Sequence, residues 1–425
     1  MTAVRVLPGV AHGRLLAPPS KSYTHRALVV GHLSGRRFVV ERPLDSDDTR
    51  ATARALGVLG SLVTRRSRAW TVTPARRRPS RRTGTIDCGE SGTTLRFVAA
   101  LAALSDRPTR LVGRGRLAER PMRPLLEALT ALGARCVEAS PDRGLPLTIT
   151  GPIRGGSVRL DASESSQFAS ALLLALPRAE GDSVIRLTGP IVSEPYLEAT
   201  RAVVRAHGIA LGGDRRSIGI RGRQRYRGHR FRVPGDASSA AYLWSAAALT
   251  GGRVRVDGIP PRWPQADRSV LDVLERAGAR VTRGRDSATV AGPVDRPFVV
   301  ELTSAPDLYP LAGVLAAAVP GTSELRGARH IALKESDRRA GTERLVRALG
   351  ARCRSTRAGL AIEGTDRIRP VRLLNLTDHR MVMSAAVGAL AAEGPSTIGD
   401  ARAVAKSFPR FFSVLRSLSG GRTAR

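Results

Sequence analysis

Positive charge in this chain is carried almost wholly by arginine: of 69 basic residues, only Lys21, Lys334 and Lys406 are lysines. A lysine ammonium is compact, rotatable and able to give up its proton when desolvated, whereas a guanidinium is a flat fork that keeps its charge. Three positions that resist the general preference for arginine are therefore candidates for chemistry or close anion contact, with chance retention the alternative for any one of them. Other residues suited to anion binding stand in small polar clusters: Ser20-Lys21-Ser22, Ser91-Gly92-Thr93-Thr94, Ser165-Ser166-Gln167, Asp236-Ala237-Ser238-Ser239, Pro306-Asp307 and Thr377-Asp378-His379-Arg380. Each precedes a run rich in Ala, Leu or Val, which is the pattern of a capped helix start. Capping alone accounts for any single cluster. It does not account for Lys21, Asp307, His379 and Arg380, charged groups placed where free N–H donors already favour an anion.

The elements needed to hold these clusters repeat. Gly60, Gly133, Gly208, Gly278, Gly350 and Gly420 recur every 70 to 75 residues, and most end a helix-like segment and precede an apolar run. Glycine is the expected stop because it enters the left-handed region without a side-chain clash. Strand-like segments such as 148–150, 184–187, 254–256 and 360–362 alternate with the helical ones, so the pattern predicts an α/β (α+β) class with sixfold similarity, most simply two domains of three units each. The Pro234-Gly235 joint lies near the middle, and 65–82, rich in Arg, Pro and Ser, reads as a solvated excursion.

Composition bounds the partners. The net charge of +33 invites a polyanion, but the arginines are spread along the chain, with one dense patch at 65–82, and aromatics are 4%; base stacking has little to work with. Nucleic acid is thus not the expected partner, and an Arg-rich nucleic-acid-binding protein is the alternative from another class. No apolar run reaches the roughly 20 residues of a membrane span, and the N-terminus lacks a signal-peptide core. Cys88, Cys136 and Cys353 are odd in number and widely spaced, without Cys/His ligand spacing, so no metal and no cofactor is expected, and a cytoplasmic location fits.

The motifs, read in order, include PPSKSYTHRAL (18–28), CGESGTTLR (88–96), ERPM (119–122), SSQF (165–168), SEPY (193–196), PGDASS (234–239), DLYP (307–310), KESDR (334–338), DHRM (378–381) and KSFP (406–409). This ordered set resembles the 5-enolpyruvylshikimate 3-phosphate synthase family of enolpyruvyl transferases across essentially the full chain, with the first motif in its archaeal style. The resemblance implies two similar domains, each of three βαβαββ-type repeats with buried helices and outer sheets. It places residues 1–16 with 232–425, and 17–231 as an inserted domain, with the active site in the cleft between them. It also implies a monomer that transfers the enolpyruvyl group of phosphoenolpyruvate to the 5-hydroxyl of shikimate 3-phosphate, in aromatic amino acid biosynthesis, with release of phosphate.

Position by position, the resemblance assigns Ser165, Ser166, Ser193 and Lys334 to the phosphate of shikimate 3-phosphate. Ser22 and Arg26 fall to its carboxylate, Gln167 to the ring, and Asp307 to the ring hydroxyls, and Lys21 belongs to this set as well. For phosphoenolpyruvate it assigns Lys21, Gly92, Arg120 and Gln167 to the phosphate, and Arg338, Arg380 and Lys406 to the carboxylate end. Asp307 with Lys21 would handle the hydroxyl proton, Glu335 the methyl proton, and His379 would partner a proton or anchor a conformation. The other role open to Glu335 is a salt bridge to Arg338, three residues on in a helix.

Two departures matter. Glu90 stands where the bacterial pattern has Asn, adding negative charge near the phosphoenolpyruvate pocket unless it turns away or pairs with an arginine; His330 stands where many members have Asn or Arg. The sister transferase acting on UDP-N-acetylglucosamine is disfavoured, because it uses a cleft cysteine and the three cysteines here read as small buried hydrophobes. A paralogue using a modified cyclohexene acceptor is a further alternative. Gly92 leaves room for a ligand, so glyphosate is expected to inhibit.

Overall fold

The chain folds, in a computed structural model that describes residues 3–75, 83–140, 143–420 and 423–424, into six four-stranded sheets and the helices that link them. One repeat shows the plan. The strand Gly156–Asp161 leads into the helix Ser166–Ala175, the strand Ser183–Thr188, the helix Glu194–Ala206, and the short strands Leu211–Gly213 and Ser217–Ile220. The first two strands pair in parallel, Gly156 opposite Ser183, and the last strand inserts antiparallel between the second and the edge. A parallel pair needs a long crossover, which the helix supplies, while the antiparallel pair needs only a turn. The same order recurs at 84–150 and at 299–364.

The other three sheets are completed by strands from elsewhere in the chain. Arg230–Arg232 lies beside Phe38–Glu41, His12–Leu16 beside Arg253–Asp257, and Val4–Val6 beside Ser396–Ile398. These ladders explain why contacts divide the chain into one unit of Met1–Pro18 with Gly235–Arg425 and another of Pro19–Pro234. Each unit holds three sheets. The divisions fall two to three residues beyond 16/17 and 231/232, because backbone bonds carry each strand further: Ala17 N–H donates to Asp257 O at 2.9 Å, and Val233 N–H to Glu41 O at 3.0 Å.

Within each unit the first helices of the repeats form the interior. Lys21–Leu33, Gly92–Ala102 and Ser166–Ala175 are buried around most of their circumference in one; Ala237–Thr250, Tyr309–Ala317 and His379–Leu390 are so in the other. Beyond their polar first turns these helices run largely through Ala, Leu, Val and other apolar residues, which suits a helix with little solvent side. The strands instead alternate, as in Gly156–Asp161 and Arg253–Asp257, with one face buried and one exposed. Arginine on the exposed positions supplies much of the net charge, and several of these arginines pair locally, as Arg14 and Arg255 do with Asp257. Among the described residues no helix is long and apolar enough to cross a membrane.

All six recurring glycines have positive φ, from 68° at Gly420 to 107° at Gly278. The stretch read as a solvated excursion is in its first part a hairpin, Ser61–Arg65 paired with Ala69–Pro74; residues 76–82 lie outside the described residues. The hairpin forms because Trp70 and Val72 alternate inward and are fully buried, a period of two that the surrounding arginines obscure. Two glycines give a paired test of this backbone reading. Gly350 has φ +101°, so Gly350→Ala should lower stability by about 1–2 kcal/mol. Gly57, inside the helix Asp47–Val58 with nothing near its missing Cβ, should gain about 0.5–1 kcal/mol on Gly57→Ala. Chemical denaturation of the two variants should shift in opposite directions.

Candidate active site

In the unit Pro19–Pro234 the polar clusters become helix N-termini joined by side chains. Ser20 opens Lys21–Leu33, Ser91 opens Gly92–Ala102 with its hydroxyl accepting from Thr94 N–H, and Ser165 opens Ser166–Ala175 with its hydroxyl accepting from Gln167 N–H. Lys21 Nζ donates to Asp48 Oδ2 at 3.0 Å, both side chains being largely shielded. Asp48 lies in the first turn of the helix Asp47–Val58, where a carboxylate is favoured. Thr94 Oγ1 donates to Asp48 O at 3.2 Å and bonds Thr52 Oγ1 at 2.8 Å, and Thr52 in turn meets His25 Nδ1 at 2.7 Å. Burial, then the charges of Lys21 and Arg26, hold His25 well below the ordinary histidine pKa, so it is a neutral member of this chain of hydroxyls.

Gln167 is gripped from both ends: Arg96 Nη1 donates to its Oε1 at 2.7 Å, and its Nε2 donates to Thr93 Oγ1 at 3.1 Å. Arg96 also donates to Pro121 O at 2.8 Å and lies over the Phe168 ring. Arg120, 8% exposed, rests against Gly92, where an added Cβ would come 2.5 Å from its Nη1 and 2.6 Å from its Cζ. Arg26 is buried, donating to Thr200 Oγ1, Ser22 O and Tyr196 O at 2.7–2.9 Å, which leaves one N–H on each terminal nitrogen for a ligand. Burial lowers its pKa to about 10, so it stays cationic at neutral pH. Ser193, before the helix Glu194–Ala206, takes the left-handed conformation at φ +53°, an outlier of the kind that clusters at functional sites. Ser165, Ser166 and Ser193 are buried and Ser22 partly so.

The unit that contains Gly235–Arg425 holds a second set, built on Arg338. Its side chain, 1% exposed, donates to Asp307 Oδ1 at 2.6 Å, Glu335 Oε2 at 2.8 Å and Asp378 Oδ2 at 2.8 Å. Asp307 Oδ2 accepts from Arg380 Nη2 at 2.6 Å, so one carboxylate is shared by two guanidiniums. Asp378, the cap of His379–Leu390, also accepts from Arg380 N–H and Ser336 Oγ. Burial alone would raise both carboxyls. Instead Arg380, Arg338 and Lys334 hold Asp307 far below the usual carboxylate range, and Arg338 and His379 hold Asp378 below it. The Arg338 guanidinium is raised in turn, as Asp378, Glu335 and Asp307 outweigh its burial.

The salt bridge open to Glu335 forms, but across the turn before the helix Arg338–Ala348 and not along it. His379 is buried, with Nδ1 3.6 Å from Asp378 Oδ1. Lys334 follows the short 3-10 helix Arg329–Leu333, and Lys406 ends another, Ala401–Lys406. His330 is buried, and burial together with Lys334 lowers its pKa to about 4, so it adds no charge at neutral pH.

Glu90 is exposed, and its carboxylate covers Gly115, where any side chain would collide with it. The cysteine reading needs correction: Cys88 is fully buried, but Cys136 and Cys353 are half-buried, because they lie on the edge strands Arg135–Ser140 and Arg352–Ser355. All three thiols are raised chiefly by burial, Cys88 to about 12 and Cys353 to about 11, which keeps them protonated and unreactive. No group of three or more metal-ligating side chains occurs among the described residues.

Sequence reasoning missed the partners. Asp48 sits in an acidic run, Ser46-Asp47-Asp48, that reads as ordinary capping, and Asp267, 3.8 Å from Arg380 Nη1, carries no motif around it. Arg96 and Asp378 fall inside quoted motifs but received no role. Removing the hub should leave the buried Asp378 and the half-buried Asp307 and Glu335 without their shared partner. Arg338→Ala is therefore expected to cost about 3–5 kcal/mol in denaturant unfolding, against about 0–1 kcal/mol for an exposed pair such as Arg123 and Glu127.

The profile of the EPSP synthase (3-phosphoshikimate 1-carboxyvinyltransferase) family matches residues 8–415. The 3-phosphoshikimate 1-carboxyvinyltransferase of Methanocorpusculum labreanum is 38% identical over 408 residues, covering 96% of each chain. That of Halobacterium salinarum is 40% identical over 421 residues, covering 97% of this chain and 98% of its own. A solved EPSP synthase from Acinetobacter baumannii superimposes with a TM-score of 0.82 over the whole of both chains at 24% identity, which establishes a shared fold.

Proposed function

We infer how the site works from one premise: this chain belongs to the EPSP synthase family and transfers the enolpyruvyl group of phosphoenolpyruvate to shikimate 3-phosphate, in the biosynthesis of aromatic compounds. In the proposed assignment each unit supplies one share of the recognition. Ser165, Ser166 and Ser193, with Lys334, take the phosphate of shikimate 3-phosphate. Hydroxyls and an ammonium provide rotatable donors to a dianion. Ser22 and the remaining N–H groups of Arg26 take its carboxylate, and Gln167, fixed by Arg96 and Thr93, covers its ring. Lys21, Arg120 and the Gly92 backbone meet the phosphate of phosphoenolpyruvate; Arg338, Arg380 and Lys406 meet its carboxylate. Action as a monomer in the cytoplasm belongs to the same proposal.

The observation that carries this reading is the Asp307 carboxylate shared between Arg338 and Arg380. A carboxylate so strongly stabilised is a poor base. When an incoming carboxylate engages the same two guanidiniums, their hold on Asp307 weakens and its basicity rises where the acceptor hydroxyl must lose a proton. Lys21 is kept beside Asp48 until a phosphate draws it away. Glu335, tethered to Arg338 through Oε2, is the group assigned to exchange a proton with the methyl carbon. The arginines then face the negative charge of the tetrahedral intermediate before phosphate leaves. The paralogue reading, with a modified cyclohexene acceptor, has no observation in its favour here, since the serines assigned to the acceptor phosphate are present and buried.

Phosphate release from phosphoenolpyruvate should occur with shikimate 3-phosphate and not with shikimate or UDP-N-acetylglucosamine. Silence with all three in a folded protein, or release with the nucleotide sugar, would overturn the reading. Lys21→Arg should lose at least about 100-fold in kcat with unchanged melting, because the fork cannot occupy the place of the ammonium. Gly92→Ala must push the Arg120 guanidinium aside, so the KM for phosphoenolpyruvate should rise on the order of 10-fold with a smaller change in the KM for shikimate 3-phosphate. Glyphosate should inhibit competitively with phosphoenolpyruvate, and Gly92→Ala should weaken it as well; steady-state kinetics check both.

A further inference from the structure

Arg380 lies between two carboxylates, and the proposed mechanism uses one of them. The other is Asp267, in the 3-10 helix Ala266–Ser269 and 1% exposed. Its Oδ2 accepts from Ser238 Oγ and lies 3.8 Å from Arg380 Nη1, while its buried Oδ1 has no hydrogen-bond partner. The segment that carries it is firmly placed. Gln265 accepts from Ala237 N–H at 2.9 Å and donates to Gly235 O at 2.8 Å, which ties this short helix to the start of Ala237–Thr250. A buried carboxylate left with one bare oxygen costs free energy when ionised. Such a costly group beside a substrate arginine calls for a role.

We propose that Asp267 is a positioning residue for Arg380: it faces Nη1 of the guanidinium whose Nη2 Asp307 binds, and its protonation state sets how much of that guanidinium's charge meets the carboxylate of phosphoenolpyruvate. The inference rests on the assignment of Arg380 to that carboxylate. Ionised, Asp267 joins Asp307, Glu335 and Asp378 as a fourth carboxylate around Arg338 and Arg380, with Lys334 acting on Asp307. Protonated, it removes one negative charge and lets its O–H satisfy a neighbour. Arrival of an anion therefore favours the protonated form, and that form binds the anion more tightly.

The groups around Asp267 agree. Burial raises its pKa to about 7; Arg380 and the Ser238 hydroxyl oppose the rise, and Asp307 and Asp236 add to it. Tyr242, on the same helix as Ser238, is raised by burial to about 12 and stays neutral throughout. On the helix that follows, Val270–Arg276, Asp272 is turned to the surface, where it pairs with Arg283. The sign is that of a raised acid: protonated below about pH 7, ionised above it.

The test is the pH dependence of the KM for phosphoenolpyruvate in the full-length enzyme and in Asp267→Asn. The titrating phosphates of both substrates are common to the two proteins, so the comparison isolates Asp267. The wild-type KM should rise between pH 6 and 8 on the order of fivefold more than the variant's, with the two converging at the acidic end. A variant that keeps the wild-type profile overturns the proposal. Should Asp267→Asn fail to fold, Ser238→Ala serves instead. Removing a hydrogen bond to the charged form moves the inflection to higher pH if the proposal holds, and an unmoved inflection overturns it. Arg380→Gln separates the two claims. An unchanged KM for phosphoenolpyruvate in that variant overturns the Arg380 assignment and the inference with it. A raised KM there, beside a wild-type profile in Asp267→Asn, overturns the inference alone.

Discussion

The buried guanidinium of Arg338 is the group around which the polar residues of its unit are arranged. It binds carboxylates from three separate segments, at Asp307, Glu335 and Asp378, and one of these, Asp307, passes the connection on to Arg380. Taking such charges out of water is costly, and the cost is tolerable only because each carboxylate finds a guanidinium at hydrogen-bond distance. The result is a lattice of paired charges in place before a substrate arrives. In the proposed mechanism an anionic substrate would enter by exchange, taking the place of a protein carboxylate on an arginine. That exchange would change the basicity of the carboxylate it displaces and so link binding to proton transfer.

The other unit solves a related problem with hydroxyls. Where the unit containing Gly235–Arg425 stitches its helix starts together with ion pairs, Pro19–Pro234 does so through Ser91, Thr94, Thr52 and neutral His25, with Lys21 held by Asp48. Here the cations Lys21, Arg120 and Arg26 stand among hydroxyls and amides, with Asp48 the carboxylate on Lys21. This suits a set of residues assigned mostly to phosphate groups, whose charge exceeds that of a carboxylate. The common origin of both sets is the repeat itself. Every repeat begins its first helix with a short polar cluster, so stacking three repeats delivers three helix starts to one end of a unit, and only the identity of the capping residues decides what chemistry they support.

Much of this was legible in the sequence because the relevant signals are local. The polar clusters are followed by helices at all six positions, and the recurring glycines take the left-handed conformation, since capping and chain reversal depend on a few adjacent residues. The scarcity of lysine singles out Lys21, Lys334 and Lys406 as candidates. What stayed hidden is pairing across long separations. Nothing near Asp267 announces Arg380, 113 positions away, and Asp48 looks like a helix cap until Lys21 is seen beside it. The hairpin at 61–74 was masked for another reason: arginines on its exposed face resemble a solvated run, while Trp70 and Val72 supply the buried face.

The lattice account is tested most directly by a double-mutant cycle on stability between Arg338 and Asp378, using Arg338→Met, Asp378→Asn and the pair, each followed by denaturant unfolding. If the two charges belong to one buried lattice, the paired change should cost far less than the sum of the single ones, with a coupling of at least about 2 kcal/mol. Additivity within about 0.5 kcal/mol would mean that the two residues act independently, and that the ion-pair lattice does not hold this part of the protein together.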